Sequence, residues 1–361
     1  MNFWTDKRVL ITGHTGFKGS WLAFWLKMLG AEICGYALAP ESEPNLYANL
    51  DLENRISSII GDVRDRAAFE ETVRDFRPEI VFHLAAQSLV RRSYREPVET
   101  YETNLLGTVN VLDAVRRAES VKAVVVVTTD KVYENKEWHW AYRENERLGG
   151  YDPYSNSKAC AELAVAAFRN SFFNDKNALI ATARAGNVIG GGDWSEDRLL
   201  PDVFRALIFK KPLIIRNPAS IRPWQHVLEP LGGYLMLAER LYGGERNYAG
   251  AWNFGSRETD AKPVEYILEQ IKSVWSEPFE WEIAREAGAP HEARLLKLDS
   301  AKAENELNWS PRLNIAEAVK LTAEWYREFY RNGDLAAATR SQILFYTDKL
   351  NKQETERGAV I

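Results

Sequence analysis

Short apolar runs alternate with longer amphipathic stretches through the first half of the chain. The run Val9-Leu10-Ile11, opened by Lys7-Arg8, ends in Thr12 and breaks at Gly13. Residues 20–29 then wrap Trp21, Leu22, Phe24, Trp25, Leu26, Met28 and Leu29 around most of a helix. Further apolar runs fall at 32–38, 56–60, 78–84, 121–128 and 178–183, with helical stretches between them, including 97–118 and 153–170. A run that is apolar at successive positions has both faces covered, as a buried parallel strand does. Six such strands alternating with helices predict an α/β fold built on a doubly wound parallel sheet.

Beyond Arg184 the alternation stops. Residues 184–194 carry Gly186, Gly190, Gly191 and Gly192 and are too irregular for an element. The remainder mixes short strands (213–215, 252–254, 295–298) with helices (201–209, 229–242, 263–274, 300–307, 315–330). This pattern predicts a cofactor domain over 1–190, joined by about 225–255. A smaller mixed α/β lobe over 191–224 and 256–345 closes over it. The last stretch, 346–361, is a polar tail expected to fray.

The strand–glycine-turn–helix context at the start gives the first chemistry. Gly13-His14-Thr15-Gly16-Phe17-Lys18-Gly19 has the spacing G-x-x-G-x-x-G, one residue longer than the usual dinucleotide fingerprint. Gly13 suits a tight turn, Gly16 lets backbone approach a pyrophosphate, and Gly19 allows close helix–strand packing. His14 and Lys18 are bulky polar members whose direction, pyrophosphate or solvent, stays open. In open α/β sheets the carboxyl ends of the strands face the ligand. The cofactor-binding set expected from such ends and turns is Gly13, Thr15, Gly16, Phe17, Lys18, Gly19, Asp62, Val63, Leu84, Ala85, Ala86, Gln87 and Thr128; Asn104, Tyr154 and Lys158 join it only through the family resemblance that these motifs carry. His83 reads as packed against the sheet. The second strand ends in Ala37-Leu38-Ala39-Pro40 with neither the acid of an NAD site nor the arginine of an NADP site. The missing base tilts the expectation to NAD.

The fifth run ends abruptly in Thr128-Thr129-Asp130-Lys131, and Tyr154 and Lys158 follow four apart on one helix face. An ammonium beside a phenol favours phenolate, which would bring the tyrosine toward the range of a useful base.

Together, Thr12-Gly13-x-x-Gly16-x-x-Gly19, Asn104, Thr129 and Tyr154-x-x-x-Lys158 resemble the extended short-chain dehydrogenase/reductase family, whose fold is Rossmann-type. The match runs from Lys7 to about Tyr330. Within it, Gly13–Leu22, Thr129-Asp130-Lys131-Val132-Tyr133 and Arg222-Pro223-Trp224-Gln225-His226-Val227 resemble the sugar-nucleotide 4,6-dehydratases. The resemblance implies an NAD-dependent lyase acting on CDP-glucose. Tyr154 would take the 4-hydroxyl proton, Lys158 would hold the nicotinamide ribose, and Thr129 would bond the 4-oxygen. Asp130 and Lys131 would be acid and base for loss of the 6-hydroxyl, in either order. Related dehydratases have Asp-Glu there, so Lys131 is a departure. It also implies substrate contacts from Ser88, Asn187, Pro201, Arg222 and Arg294, and a homodimer or homotetramer paired through the helices at 97–118 and 153–170. The product would enter surface-polysaccharide deoxysugar (O-antigen) synthesis.

Composition narrows the alternatives. The net charge of −5 over 361 residues argues against a general nucleic-acid binder. Cys34 and Cys160 give no disulfide framework and no metal-ligand spacing. No apolar run approaches the roughly 18 residues of a membrane span, and the N-terminus lacks a secretory pattern, so a cytoplasmic protein is expected. A sugar-nucleotide 4-epimerase would share Tyr154, Lys158 and Thr129, but it usually has small non-ionisable residues where Asp130-Lys131 stand. A non-catalytic dinucleotide-binding scaffold would tend to lose the tyrosine or the lysine.

Overall fold

The computed structural model describes residues 2–173, 178–275, 277–284 and 295–358, with side chains through residue 352. Seven parallel strands form the main sheet: β1 (Arg8–Thr12), β2 (Glu32–Ala37), β3 (Ser57–Ile60), β4 (Ile80–His83), β5 (Ala123–Val127), β6 (Leu179–Arg184) and β7 (Ala251–Asn253). Their order is β7-β6-β5-β4-β1-β2-β3. Six of these are the strands expected in the alternating half, and the seventh is the short strand expected at 252–254. The seventh, β7, pairs with β6 in the register Trp252↔Ala183 and closes that edge.

Alternate residues of the central strands enter opposite cores, which is what a sheet covered on both faces requires. Val9, Ile11, Phe82 and Val125 pack with Trp21, Leu22 and Trp25 of α1 (Phe17–Met28). Leu10, Val81, Val124 and Val126 pack against Phe69 and Val73 of α2 (Arg66–Phe76), Val111, Leu112 and Val115 of α3 (Gly107–Arg117), and Val165 of α4 (Pro153–Phe172). Four of the five β5 residues are valines, whose stiff χ1 suits a pleated, fully buried position. The register pairs Thr12 with His83 and Val127 with Ala183, so the carboxyl ends of β1, β4, β5 and β6 form one rim.

Three expectations are revised. The helix expected over 97–118 is helical throughout, but a π-helical turn, Glu102–Leu106, interrupts it. The short strand at 295–298 reduces, among the described residues, to one bridge between Tyr142 and Leu298. The last helix, Leu335–Gly358, runs through most of the segment expected to fray. Packing holds its first half: Trp325 Nε1 donates to Thr339 Oγ1 at 2.9 Å, and Tyr346 is fully buried.

Outside the sheet, Ile221–Pro223 pairs antiparallel with Ala261–Pro263. Helices Leu199–Ile208 and Ile315–Tyr330 meet where Phe204 stacks on Tyr326, ring centroids 4.1 Å apart.

Candidate active site

The rim of the sheet begins at the glycine loop. Gly13 has φ of +78°, and a Cβ on it would lie 2.7 Å from the Ala85 nitrogen. A Cβ on Gly19 would lie 2.0 Å from the Gly13 oxygen. The loop is therefore pressed flat between α1 and the Leu84-Ala85-Ala86 turn, leaving bare backbone at the N-terminus of α1. That is the surface a dinucleotide pyrophosphate needs. Thr12 Oγ1 accepts from the Leu84 and Ala85 nitrogens at 3.1 Å each and lies 2.7 Å from His83 Nδ1. The far nitrogen of His83 lies 3.0 Å from Thr108 Oγ1. His83 is thus packed behind the rim, as its sequence context indicated.

His14 takes neither direction left open for it. It turns under the loop, fully buried, with Nε2 2.7 Å from Ser58 Oγ and its ring edge-on to Tyr47. Gly35 makes the room: a Cβ there would sit 2.3 Å from His14 Cγ. Burial lowers His14 to about 4, so the ring is neutral near pH 7.

The π turn has a definite task. Asn104 is fully buried and clamps both backbone groups of Gln87: Oδ1 accepts from its nitrogen and Nδ2 donates to its oxygen, each at 2.9 Å. Nδ2 also reaches Ser157 Oγ at 2.9 Å. One amide therefore ties the turn after β4 to the helix carrying Tyr154 and Lys158. Extra-residue turns of this kind recur at functional sites.

Several expected cofactor residues use their side chains elsewhere. Gln87 Nε2 donates to Thr100 Oγ1 and Oε1 accepts from the Leu89 nitrogen. Val63 is buried against Gly107, where a Cβ would be 2.8 Å from its Cγ2. Thr128 Oγ1 donates to Glu162 at 2.5 Å, and Thr15 Oγ1 to the Leu38 oxygen at 2.9 Å. The side chains of these positions are therefore engaged within the protein. Asp62 accepts from Arg64 Nε and from the Arg64 nitrogen, both at 2.8 Å. Phe17 faces Gly190, whose Cβ would sit 3.1 Å from its ring.

Tyr154 and Lys158 enter from α4, which starts at an Asp152 cap accepting from the Ser155 nitrogen at 2.9 Å, with Pro153 in the first turn. Tyr154 is 8% exposed and hydrogen-bonds Thr129. Its protonation differs from the expectation. Burial dominates and pushes the phenol up to about 12, against the opposing Thr129 hydrogen bond and the nearby Arg198 charge. Lys158 does not reverse this, because its ammonium donates to the Val127 oxygen at 3.2 Å. Lys158 itself falls to about 8 through burial, with Glu162 one turn away pulling it back up.

Thr129 Oγ1 donates to Asp130 Oδ1 at 2.9 Å and caps the short turn Asp130–Val132. Asp130 is 3% exposed, and its Oδ2 rests on Gly186, where a Cβ would lie 1.9 Å away. Thr129, Asp130, Tyr154 and Lys158 are thus brought together at the ends of β5 and α4. Lys131 follows in the same turn and is half-buried.

Three charged residues join this group without having been read as partners. Lys18, from the glycine loop, is lowered to about 8 chiefly by burial, and the charges of Arg198, Asp130, Lys158 and Asp193 also act on it. Arg198 donates to Asp193 Oδ2 at 3.2 Å and to Ser88 Oγ at 3.4 Å. Of the remaining expected substrate residues, Asn187 has φ of +47° and its oxygen accepts from the Gln225 nitrogen. Pro201 is buried in Leu199–Ile208. Arg222, half-buried, stands on Ile221–Pro223 opposite Lys262. Arg294 lies outside the described residues.

The family model described as GDP-mannose 4,6 dehydratase matches residues 10–322. A CDP-glucose 4,6-dehydratase of Salmonella typhimurium is 50% identical over 350 residues, covering 96% of this chain and 97% of that protein. A dTDP-glucose 4,6-dehydratase of Streptomyces antibioticus is 28% identical, over 89% of this chain and 92% of its own. The crystal structure of a Brucella ovis UDP-glucose 4-epimerase in complex with NAD superposes with a TM-score of 0.76 at 22% identity, covering 89% and 98% of the two chains. At that identity the likeness speaks for the fold alone.

Proposed function

The chain belongs to the GDP-mannose 4,6 dehydratase family, and from that premise we propose that it converts CDP-D-glucose to CDP-4-dehydro-6-deoxy-D-glucose as an NAD-dependent hydro-lyase. The half-identity to the Salmonella CDP-glucose 4,6-dehydratase, end to end, carries this reading. NAD supplies the hydride acceptor at C4 and the hydride donor to C6 within one turnover. The glycine loop, the Leu84–Ala86 backbone and Lys158 would hold it.

The protein's own groups move the protons. Tyr154 takes the proton of the 4-hydroxyl while Thr129 holds the 4-oxygen. The resulting ketone acidifies C5–H. Asp130 gives a proton to the departing 6-hydroxyl as the C6–O bond breaks, and Lys131, in its neutral amine form, takes the proton from C5. Water leaves, hydride reaches C6 and a proton returns to C5. Burial of Tyr154 and Asp130 in one water-poor pocket supports these roles, because fixed polar groups act more strongly there. The ionisable pair Asp130-Lys131 favours elimination over epimerisation.

A homodimer or homotetramer is also proposed. Val98, Leu106, Leu163 and Phe172 are 69%, 53%, 59% and 45% exposed along the two long helical segments, an apolar surface of the kind that pairs. No helix among the described residues is long and apolar enough to cross a membrane, which accords with a cytoplasmic setting.

The test is incubation with CDP-glucose and NAD. A 4-keto-6-deoxy sugar with its alkaline chromophore is expected; CDP-galactose would mark an epimerase, and unchanged substrate would refute both.

A further inference from the structure

Asp130 is seated by the chain leaving β6 as well as by its own turn. Its nitrogen donates to the Ala185 oxygen at 3.3 Å. Its carboxyl lies directly over Gly186, where a Cβ would be 1.9 Å from Oδ2, 2.2 Å from Cγ and 2.7 Å from Oδ1. The carboxyl therefore goes where the Gly186 backbone goes. Residues 185–187 belong to no helix or strand; they join β6 to the two-residue strand Val188–Ile189. Their position is set by what bonds their carbonyls.

Gln225 supplies those bonds. It stands on Gln225–His226, which pairs parallel with Val188–Ile189, and it is 4% exposed. Its main-chain nitrogen donates to the Asn187 oxygen at 3.2 Å. Its side-chain Nε2 donates to the Gly186 oxygen at 3.2 Å and to the Phe254 oxygen at 2.8 Å. Phe254, just past β7, is itself fixed to β6, because its nitrogen donates to the Arg184 oxygen at 2.8 Å. One carboxamide thus ties the floor under Asp130 to the end of the edge strand. Its orientation is dictated, since the reversed amide would set Oε1 against two carbonyl oxygens. Oε1 is buried with no hydrogen-bond partner among the described residues. An unpaired buried acceptor is a cost, so the two N–H donors are what account for a glutamine here.

We infer that Gln225 positions Asp130 for loss of the 6-hydroxyl, acting through the Gly186 backbone. This rests on the dehydratase reading above. A leucine at 225 has no donor, and an ionised glutamate would turn acceptor against acceptor. Tyr154 is held separately, by α4 and its Asp152 cap. Loss of the Gln225 amide should therefore tell on elimination before oxidation.

The experiment places Gln225→Leu and Gln225→Glu in the full-length protein, with Gln225→Leu also combined with Asp130→Asn. Each is supplied with saturating NAD and CDP-glucose. NADH absorbance and 4-keto-6-deoxy product are followed together, and thermal melts check folding at the assay temperature. Gln225→Leu should accumulate NADH while product formation falls roughly ten- to a hundredfold, the size of effect that a displacement of about an ångström brings. In the Asp130→Asn background the same change should cost little more, because nothing is left to position. Gln225→Glu should regain product as pH falls, relative to the wild type, because a protonated carboxyl recovers one donor. This variant carries the test if Gln225→Leu does not fold. Losses that multiply in the double variant, equal decline of NADH and product, or a Gln225→Glu pH profile parallel to the wild type each overturn the inference and leave the dehydratase reading standing. A wild type that leaves CDP-glucose untouched sinks that reading first, and this inference with it.

Discussion

Glu162 and Arg184 meet face to face behind the site, 22 residues apart in sequence and each with a side chain only 3% exposed. Arg184 Nε and Nη2 donate to the two carboxylate oxygens at 2.9 and 2.8 Å. Thr128 and Thr182 donate to the same carboxylate, and the remaining Arg184 nitrogen reaches Tyr133 Oη at 2.7 Å. The pair thereby fixes the end of β5, where Thr129 and Asp130 stand, to α4. It also keeps negative charge one turn from Lys158.

Glu162→Gln should therefore act twice. Leaving the Arg184 charge buried without its partner should cost about 3–5 kcal/mol of stability, read from denaturant unfolding. Glu162 raises Lys158 against the pull of burial. Without it Lys158 loses its proton at lower pH, so the alkaline limb of the pH–rate profile should move in the acid direction. A stability loss with an unmoved limb would separate scaffolding from charge.

Tyr154→Phe keeps the ring and removes the acid–base group. Hydride transfer should fall by roughly 10²–10⁴-fold with CDP-glucose affinity nearly unchanged. Thr129→Val removes a hydrogen bond that lowers the Tyr154 pKa. A base whose pKa rises needs a higher pH to ionise, so the ascending limb of kcat/KM should shift to higher pH. Normal turnover by Tyr154→Phe would remove the tyrosine from the chemistry.

Gly186→Ala tests how tightly Asp130 is seated. The new methyl would lie 1.9 Å from Asp130 Oδ2, so the carboxylate must rotate or the backbone must yield. Overpacking of this kind costs about 1–3 kcal/mol. Product formation should drop more than formation of NADH, and equal decline of both would show that the displaced carboxylate matters to neither step in particular.

Glu229 offers a pH test remote from catalysis. Fully buried, it accepts from the Arg312 and Leu313 nitrogens at 2.7 and 2.6 Å and lies 3.0 Å from Tyr346 Oη. Burial raises its pKa from 4.5 to about 7, outweighing those hydrogen bonds and the Arg312 charge. A raised folded-state value means that its stabilising contribution is complete below 4.5 and is lost as pH rises through about 7. Glu229→Gln keeps the acceptor and cannot ionise, so it should melt higher than wild type above that window and alike below it. Parallel melting curves across the range would contradict this.

How much of this was legible in the sequence varies by residue. The valine run of β5, the glycine loop and the Tyr154–Lys158 spacing are local signals, and each appears where its pattern indicated. The start of Ile315–Tyr330 falls where its pattern indicated, and an Asn314–Glu317 capping box fixes it there. What was not legible depends on distant partners. His14 turns inward because Gly35, in the neighbouring strand β2, leaves room for its ring. The π turn exists because Asn104 has to meet Gln87 and Ser157 together. The depressed phenol expected beside Lys158 failed because helix spacing brings two side chains to one face without fixing what each will bond. Glu162, four residues past Lys158, did carry a spacing signal, but its Arg184 partner lies on strand β6.

The edge strand β7 has a consequence for how the protein is made. Tyr133, three residues past Asp130, donates to Asn253 Oδ1 at 2.8 Å, and Asn253 Nδ2 in turn binds the Tyr142 and Asp299 oxygens. Every proton-handling residue has left the ribosome by position 158, yet the latch that steadies their loop emerges almost a hundred residues later. During synthesis the growing chain therefore holds a complete set of reactive groups and no finished enzyme. Competence arrives late, when the second half of the polypeptide returns to bolt the first.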